Sequence, residues 1–461
     1  MVVAETLWWH NVVNRGLSKV KCYIYSMNIN NYYSMKKLFY SLALYAIMTL
    51  SMVACESKED ADPDKPNNPN NYTSDSNLTP GEHKAKLEDI ALEFADSFNV
   101  SDVEDAVNAL CNLSDYLEYG DFPDYYSNMI NDIVNGVTDM STANFMSFAT
   151  RASENFIIDI NDPDTNPYAG YSYTYDDYEW VKKKTNDKSV KLIWDNAEAT
   201  LAWDNTKKFE YEFDDVDYTV YVPKTITFKL NIASREHIKA VVSTNITDVK
   251  TLAPTVEVKL NGGYVLNTSN SANSKGVESH STIKKNGKAL MSAASVVAIN
   301  DATDIDSWLE EYYCEYCEEN HYDFVSPEYF GNNLKTGSAQ IDILSLSIVA
   351  SGDFKGMYDK YDDLEDKYDD DSKKFYEEVC KLINNSITVI VAYNDTQEKV
   401  ADIVAQVAYY DDYYGVEYYI EPILLFPDGS KYAFEDYFTE RAFGDLLDKL
   451  EGIAGEIENL E

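Results

Sequence analysis

The feature that most constrains the fold is a series of segments in which apolar and polar residues alternate, with only short intervals between them. Residues 209–213, 218–221 and 225–230 have this period of two, which is typical of strands with one buried face. Further segments of this kind lie at 189–194, 197–203, 238–246, 255–260, 276–284 and 289–299. Because no interval is long enough for a crossover helix, we expect residues 153–353 to form a β-rich domain with an antiparallel sheet.

The C-terminal part of the chain mixes both periodicities. Apolar residues spaced by three and four predict one long helix over residues 357–384. Strands are expected at 339–351, 386–394, 400–410 and 414–426. The apolar positions of residues 443–460 predict a C-terminal helix that packs on the long helix or on the sheet. We therefore interpret residues 354–461 as an α/β region.

The region before the strands is helical in pattern. Thr79 and Glu82 have the spacing of a capping box, with Pro80 at the first helical position. A second capping signal at Ser101 and later apolar spacing predict further helices, so residues 79–152 form a helical region. The expected fold class is α+β: a helical region, then a large antiparallel sheet with a long helix and a C-terminal helix packed on it.

The charge of the chain excludes one class of partner. It has 80 acidic and 38 basic residues, a formal net charge of −42. Such a surface repels phosphate backbones, so we expect no nucleic-acid partner. Tyrosine is also abundant, at 38 residues. Tyrosine is favoured both at wet interfaces and in half-buried strands.

The N-terminal segment predicts export. Lys36 and Lys37 precede an apolar run over residues 38–54, which is typical of a secretory signal peptide; an uncleaved membrane anchor is the alternative. Met35 is the natural start of this signal. We therefore interpret residues 1–34 as a gene-model artefact and residues 35–54 as the signal peptide.

The end of that run carries a family resemblance. Ser51-Met52-Val53-Ala54-Cys55 resembles the lipobox of bacterial lipoproteins, although Met52 stands where Leu is usual and Val53 is bulkier than typical. The resemblance implies cleavage after Ala54, a diacylglyceryl group on the Cys55 thiol and an N-acyl chain on the new amine. Two or three acyl chains would anchor the protein stably.

The residues after the cysteine suggest an orientation. Lys58-Glu59-Asp60 resembles the surface-export signal of certain gut-dwelling Gram-negative bacteria. The sequence at 260–264 and 286–290 looks similar to uncharacterised lipoproteins of the same bacterial group, a resemblance that brings no known activity. The resemblance implies a protein on the outer membrane that faces outward; the alternative is a charged linker. Residues 55–78 are rich in Pro, Asn, Asp and Ser and predict a disordered tether.

One cluster of residues invites a metal or redox interpretation. Cys314, Cys317 and His321 provide half of a zinc site, but the sequence has no second CxxC. A disulfide between the two cysteines is a second interpretation, and two packed thiols on an acidic helix is the third. We expect no metal and no cofactor other than the lipid on Cys55.

Clustered aromatic residues are the candidate ligand-binding feature. They form one group in a turn-rich stretch and another around a hairpin expected at Asp411-Asp412, and aromatic rings among carboxylates are typical of sugar-stacking platforms. The candidate binding residues are Tyr171, Tyr173, Tyr175, Tyr178, Trp180, Tyr413 and Tyr414. The alternative is that these tyrosines only cover the edge of the core.

The search for catalytic motifs is negative at the level of sequence. The chain has no G-x-S-x-G, H-E-x-x-H, P-loop or G-x-G-x-x-G motif, and we assign no catalytic residue. The sequence favours a non-catalytic, surface-tethered binding or accessory protein for an extracellular glycan or protein. A carrier or chaperone of apolar cargo and a carbohydrate-active hydrolase are the alternatives, and the oligomeric state is left open.

Overall fold

The computed structural model describes most of the chain after residue 65. It describes residues 66–72, 74–118, parts of 128–137, 170–185, 189–213, 216–248, 251–273, 276–299, 334–368, 371–412, 415–438 and residue 449.

Within these residues, seventeen strands form one sheet. The strands are β1 (Ser74–Asp75), β2 (Tyr171–Asp176), β3 (Glu179–Lys184), β4 (Ser189–Trp194), β5 (Ala197–Phe213), β6 (Val216–Ile232), β7 (Arg235–Asp248), β8 (Thr251–Leu260), β9 (Tyr264–Asn273), β10 (Gly276–Lys285), β11 (Lys288–Ile299), β12 (Leu334–Ile343), β13 (Leu346–Gly352), β14 (Ile387–Tyr393), β15 (Glu398–Asp412), β16 (Gly415–Leu425) and β17 (Lys431–Ala433).

The sheet is mainly a meander, in which each strand from β4 to β17 pairs with the next along the chain. The prediction of a purely antiparallel sheet is wrong in two places, because β2 pairs with β4 and β1 pairs with β15 in parallel. Strand β3 lies outside β2, and the chain returns to the other side of β2 as β4. Because β3 runs back alongside β2, only residues 185–188 separate it from β4, and no crossover helix is needed.

The described helices pack on this sheet. They are α1 (Pro80–Asp96), α2 (Glu104–Glu118), α3 (Phe354–Lys367), α4 (Ser372–Ser386) and the short α5 (Phe434–Tyr437). The predicted capping box is confirmed: Glu82 N donates to Thr79 Oγ1 at 3.3 Å, and Thr79 N donates to Glu82 Oε2 at 2.8 Å. Described residues between 128 and 137 are also helical.

Two cores fill the space between helices and strands. The first joins α2, with Leu110 and Leu113 fully buried, to the inner faces of β4 to β9. The second joins α1, through Leu87 and Ile90, to β13 to β16. The apolar face of the sheet is thus occupied by helical side chains of the same protein.

The prediction of one long helix over residues 357–384 is wrong. The chain forms α3 and α4, separated at residues 368–371. Asp371 caps α4, since its side chain accepts from Lys374 N at 3.1 Å. An N-cap residue has non-helical dihedrals, and Asp371 has φ −131° and ψ 75°, so α3 and α4 are not continuous. The predicted C-terminal helix at 443–460 lies outside the described residues, except for Lys449.

Residues 66–76 lie against the outer face of the sheet, and we call this segment the strap. Tyr72 packs with Val349 and Ile390, and Asn67 N donates to Gln340 Oε1 at 2.7 Å. The strap ends in β1 on the edge of β15. The prediction of a disordered tether up to residue 78 is therefore wrong for 66–78, because Tyr72 supplies buried apolar surface. Residues 55–65 lie outside the described residues.

The two ends of the meander differ. At one end the connections are short, as in the two-residue turns Asp195-Asn196, Ala233-Ser234, Asn286-Gly287 and Leu344-Ser345. At the other end, the hairpins β5–β6 and β15–β16 continue beyond the last residues that pair with the strands on either side. The β15–β16 hairpin carries one of the two predicted aromatic clusters.

Candidate functional site

The most exposed aromatic side chains lie on the projecting part of the β15–β16 hairpin. Strand β14 pairs with β15 only up to Ile403, and β17 pairs with β16 only from Ile423. Residues 406–412 and 415–421 therefore form a two-stranded ribbon, which we call the arm. From Gln406 to Asp412 the arm extends about 20 Å, at roughly 3.4 Å per residue.

The base of the arm is fixed by helix α4. Asn384, in the last turn of α4, accepts from Ala405 N at 2.8 Å and donates from Nδ2 to Ala405 O at 2.9 Å. One side chain thus hydrogen-bonds to both backbone groups of Ala405, two residues beyond the end of the β14–β15 pairing. This anchor holds the start of the arm in a defined direction relative to the body.

Both faces of the arm present aromatic rings. Tyr409 and Tyr418 lie directly opposite each other, with ring centroids 6.2 Å apart, and Tyr409 is 66% exposed. On the other face Tyr410 and Tyr419 lie diagonally, also 6.2 Å apart, and both are exposed. Val416 adds an exposed apolar side chain near the tip. Exposed aromatic residues concentrated in this way are typical of binding surfaces.

The charge around these rings has one sign. Residues 400–430 contain six acidic residues and no Lys, Arg or His. Glu417 is paired in register with Tyr410 and accepts a hydrogen bond from its hydroxyl, and Glu421 is paired with Gln406. The face of Tyr410 and Tyr419 is therefore a tyrosine surface with carboxylates beside it.

The other predicted cluster is packed differently. Tyr173 is buried in the first core, and Tyr175 stacks on Tyr116 of α2 with centroids 4.2 Å apart. Trp180 Nε1 donates to Tyr116 O at 3.0 Å. These contacts use the ring faces and the polar edge that a sugar would need, so they favour the interpretation that these rings cover the edge of the core.

Two members of this group remain accessible. Tyr171 is partly buried and lies under the Lys182 ammonium, 3.9 Å from the ring centroid. Tyr178 is 84% exposed and lies in the turn between β2 and β3 with φ +68°. A single exposed ring in a tight turn does not form a platform.

The topology keeps the two clusters apart. Among the described strands, β3 and β2 form one edge of the series of paired strands, whereas β15 and β16 lie near the other edge, beside β17. The turn at Tyr178 also lies at the end with short turns, whereas the arm projects from the opposite end. The sheet order thus assigns them to separate surfaces.

The remaining predicted site residues lie outside the described residues. These are Ala54, Cys55, Lys58, Glu59, Asp60, Cys314, Cys317, His321, Tyr413 and Tyr414. Within the described ranges, no group of three or more His, Cys, Asp or Glu side chains could hold a metal ion. No described helix is long and apolar enough to cross a membrane.

Comparison with protein-family models, with curated proteins and with solved structures gave no match.

Sequence reasoning located the second aromatic cluster but not its form. It expected the hairpin turn at Asp411-Asp412, whereas the strands stay paired to Asp412 and Gly415. The feature that would have indicated an arm is length: strands β15 and β16 span 15 and 11 residues, against seven in β14. A long hairpin beside a short strand must project from its sheet.

Proposed function

We propose that this protein is an outer-membrane lipoprotein, exposed at the cell surface, that binds another extracellular protein through the arm. The observation that carries this proposal is the arm itself, with Tyr409, Tyr410 and Tyr419 exposed on a projecting ribbon. A two-stranded ribbon is marginally stable alone in water, so a partner that covers it would stabilise it. Tyrosine provides large contact area at low entropic cost, as in antibody paratopes.

The shape of the arm favours a protein partner over a glycan. Small ligands bind in concave sites, whereas the arm is a convex ribbon with rings on both faces. The aromatic group better suited to sugar stacking, Tyr175 and Trp180, is packed against Tyr116. A groove on a partner protein could enclose the arm and contact both faces at once.

The packing supports a binding role over transport of apolar cargo. A carrier needs an apolar lining that its cargo can reach. Here the inner face of β4 to β9 is filled by Leu110, Leu113, Leu117 and Ile133, all with negligible exposure.

The hydrolase alternative can be tested separately by release of reducing sugar from host and plant glycans.

The location is supported by the lipobox-like sequence at Cys55 and by Lys58-Glu59-Asp60. Cys55→Ser should abolish incorporation of labelled palmitate. Replacement of Lys58, Glu59 and Asp60 by Ala should preserve lipidation but protect the protein from protease added to intact cells. Continued digestion of this triple variant would show that these residues do not direct export.

The binding role can be tested with the chain from residue 56 immobilised on a support and exposed to extracellular proteins and to a glycan array. We expect a protein to be retained by the wild type and lost from a variant with Ser at Tyr409, Tyr410, Tyr418 and Tyr419. Tyr178→Ser is the matched control, because it removes an exposed ring from the other end of the sheet. Retention of a glycan that requires Tyr178 instead would contradict the proposal.

A further inference from the structure

The outer edge of the arm on the β15 side offers unpaired backbone groups. Asn384 contacts both the N–H and the C=O of Ala405, so these two groups point away from β16. Backbone direction repeats every second residue in a strand, so the groups of Val407 and Tyr409 point the same way. Beyond Ile403, no described strand pairs with this edge. The edge therefore presents a row of donors and acceptors that could template another strand.

The opposite edge of the arm is less suited to accept a strand. Pro422 lies directly opposite Ala405, so its nitrogen stands at the outward position and has no hydrogen to donate. Strand β17 then occupies β16 from Ile423 onward. A proline at the start of an outer edge is a common device against unwanted pairing. The two edges of one ribbon thus differ, and the β15 edge is the open one.

The side chains beside the open edge define the chemistry of an added strand. On one face, β15 presents Val407 and Tyr409 to an added strand, so this face matches apolar or β-branched residues. The other face carries Tyr410 with Glu417 and, at its base, Glu421. A long cationic side chain in the added strand would lie over Tyr410 and reach the carboxylate of Glu417. A second copy of this arm would instead place carboxylates beside carboxylates.

We propose that the open edge of β15, around Val407 and Tyr409, binds an extended segment of a partner protein by strand addition, and that this segment alternates Lys or Arg with apolar residues. This inference rests on the proposed function, in which the arm binds a protein. It adds the mode of binding and the chemistry of the partner. Main-chain hydrogen bonds would provide affinity, and alternate side chains would provide specificity.

The experiment uses the chain from residue 56 and the probe acetyl-(Arg-Val)4-amide, with binding measured by fluorescence anisotropy. Two probes serve as controls: acetyl-(Glu-Val)4-amide reverses the charge, and a fully N-methylated Arg-Val peptide keeps the charge but removes the backbone donors. We expect only the unmodified Arg-Val peptide to bind, with an affinity that falls as salt rises. Equal binding of the N-methylated peptide, or no binding of the Arg-Val peptide, would overturn the inference.

The protein variants form a matched pair. Val407 and Ile420 lie directly opposite each other, and both have outward-facing backbone groups. Val407→Pro removes a donor from the open edge and should weaken binding about tenfold or more, whereas Ile420→Pro should change it by less than about twofold. Thermal unfolding of both variants checks that the fold persists. Equal effects of the two prolines on binding would exclude the β15 edge.

Two further outcomes separate this inference from the proposed function. If the arm variant with four serines loses its protein partner but Val407→Pro retains it, the arm binds proteins by its side chains and strand addition is wrong. If Val407→Pro lowers the thermal midpoint far more than Ile420→Pro and no peptide binds, the edge is covered by the protein's own chain. That result would also contradict strand addition.

Discussion

His83 and Tyr393 form a buried hydrogen bond between positions 310 residues apart, with 2.8 Å between His83 Nδ1 and Tyr393 Oη. Both side chains are fully buried, and the bond joins α1 to β14. No described group hydrogen-bonds to His83 Nε2. The Lys86 ammonium lies 3.4 Å from the centre of the Tyr393 ring. The imidazole is therefore held in a site suited to its neutral form.

This bond predicts a loss of stability in mild acid. Burial, and then the charge of Lys86, lowers the pKa of His83 below its ordinary value of 6.5. Below about pH 6.5 the unfolded chain binds a proton that the folded protein does not, so the free energy of unfolding falls by at most about 1.4 kcal/mol per pH unit from this group. Urea unfolding between pH 5 and 8 measures the slope. His83→Asn should flatten it, and His280→Asn, at a partly buried position on β10, is the control.

A second prediction concerns Lys285, at the end of β10. Its ammonium donates to Tyr264 Oη at 2.8 Å and to Asp102 Oδ2 at 3.2 Å. Partial burial lowers the pKa of Lys285, but these hydrogen bonds outweigh it and the pKa is raised. Lys285→Met should reduce the free energy of unfolding by about 1–3 kcal/mol, because Asp102 and Tyr264 lose a charged donor.

Lys288→Met is the matched control for this prediction. Lys288 lies on the same hairpin and pairs with Glu93, but both side chains are more than half exposed. Such surface pairs contribute roughly 0–1 kcal/mol. Chemical denaturation of both variants at pH 7 compares their free energies of unfolding. Equal losses would mean that the partly buried cluster of Lys285, Tyr264 and Asp102 contributes no more stability than a surface ion pair.

A third prediction compares alanine substitutions at two glycines in left-handed conformations, which should destabilise the protein by different amounts. Gly262 has φ +74°, and a Cβ there would lie 2.5 Å from Asp102 Cγ. Gly287 has φ +84°, but a Cβ there would meet nothing within 4 Å. Gly287→Ala should cost about 1 kcal/mol from backbone strain alone, and Gly262→Ala should cost more because Asp102 must move away from Lys285. Thermal melts would rank the two, and the reverse order would contradict the close approach.

A fourth prediction is that the strap stabilises the folded protein. A chain that starts at residue 79 should expose Val349 and Ile390, bind more of the dye ANS and melt at a lower temperature than a chain that starts at residue 66. Tyr72→Ala in the longer chain should cost about 2–4 kcal/mol, because a large side chain leaves a buried site. Tyr178→Ala, which removes an exposed ring, should have little effect. Indistinguishable melting of the two chains would mean that the strap does not contribute.

The elements that the sequence predicts well are those with local signals. The capping box at Thr79 and the Asn286-Gly287 turn are such signals, since a hydroxyl cap and a positive φ at Asn286 and Gly287 have few substitutes. Strand β4 spans the predicted residues 189–194. The alternation of apolar and polar residues predicts a large sheet, and apolar spacing by three and four predicts helices. The structure confirms this coarser architecture.

The elements that the sequence predicts badly depend on contacts between residues far apart in the chain. The turn between β12 and β13 uses Leu344 at φ +53°, and the turn between β2 and β3 uses Asp177 and Tyr178, also at positive φ. None of these is a glycine, so the turns leave no clear mark in the sequence. Tyr72 is a lone tyrosine among polar residues, and only the outer faces of β13 and β14 make it a core residue.

The same limit applies to the candidate site. The aromatic residues were visible, but whether a ring packs or projects depends on its neighbours across the sheet. Tyr175 is covered because Tyr116 of α2 stacks on it, and Tyr409 is exposed because β14 pairs with β15 only up to Ile403. No local pattern encodes where an adjacent strand stops.

The parallel pair between β1 and β15 has a mechanical consequence. Ser76 N donates to Lys399 O at 2.8 Å, and Lys399 also pairs with Asp75, so the strap is attached to the strand whose far end forms the arm. With Cys55 acylated as proposed, a partner pulling on the arm and a membrane pulling on the strap would load one strand from its two ends. Part of the tension would then pass through these contacts into β15 and along its backbone to the arm, without crossing the other strands of the meander. The contacts between strap and β15 would then set how much load the protein can transmit to whatever the arm holds.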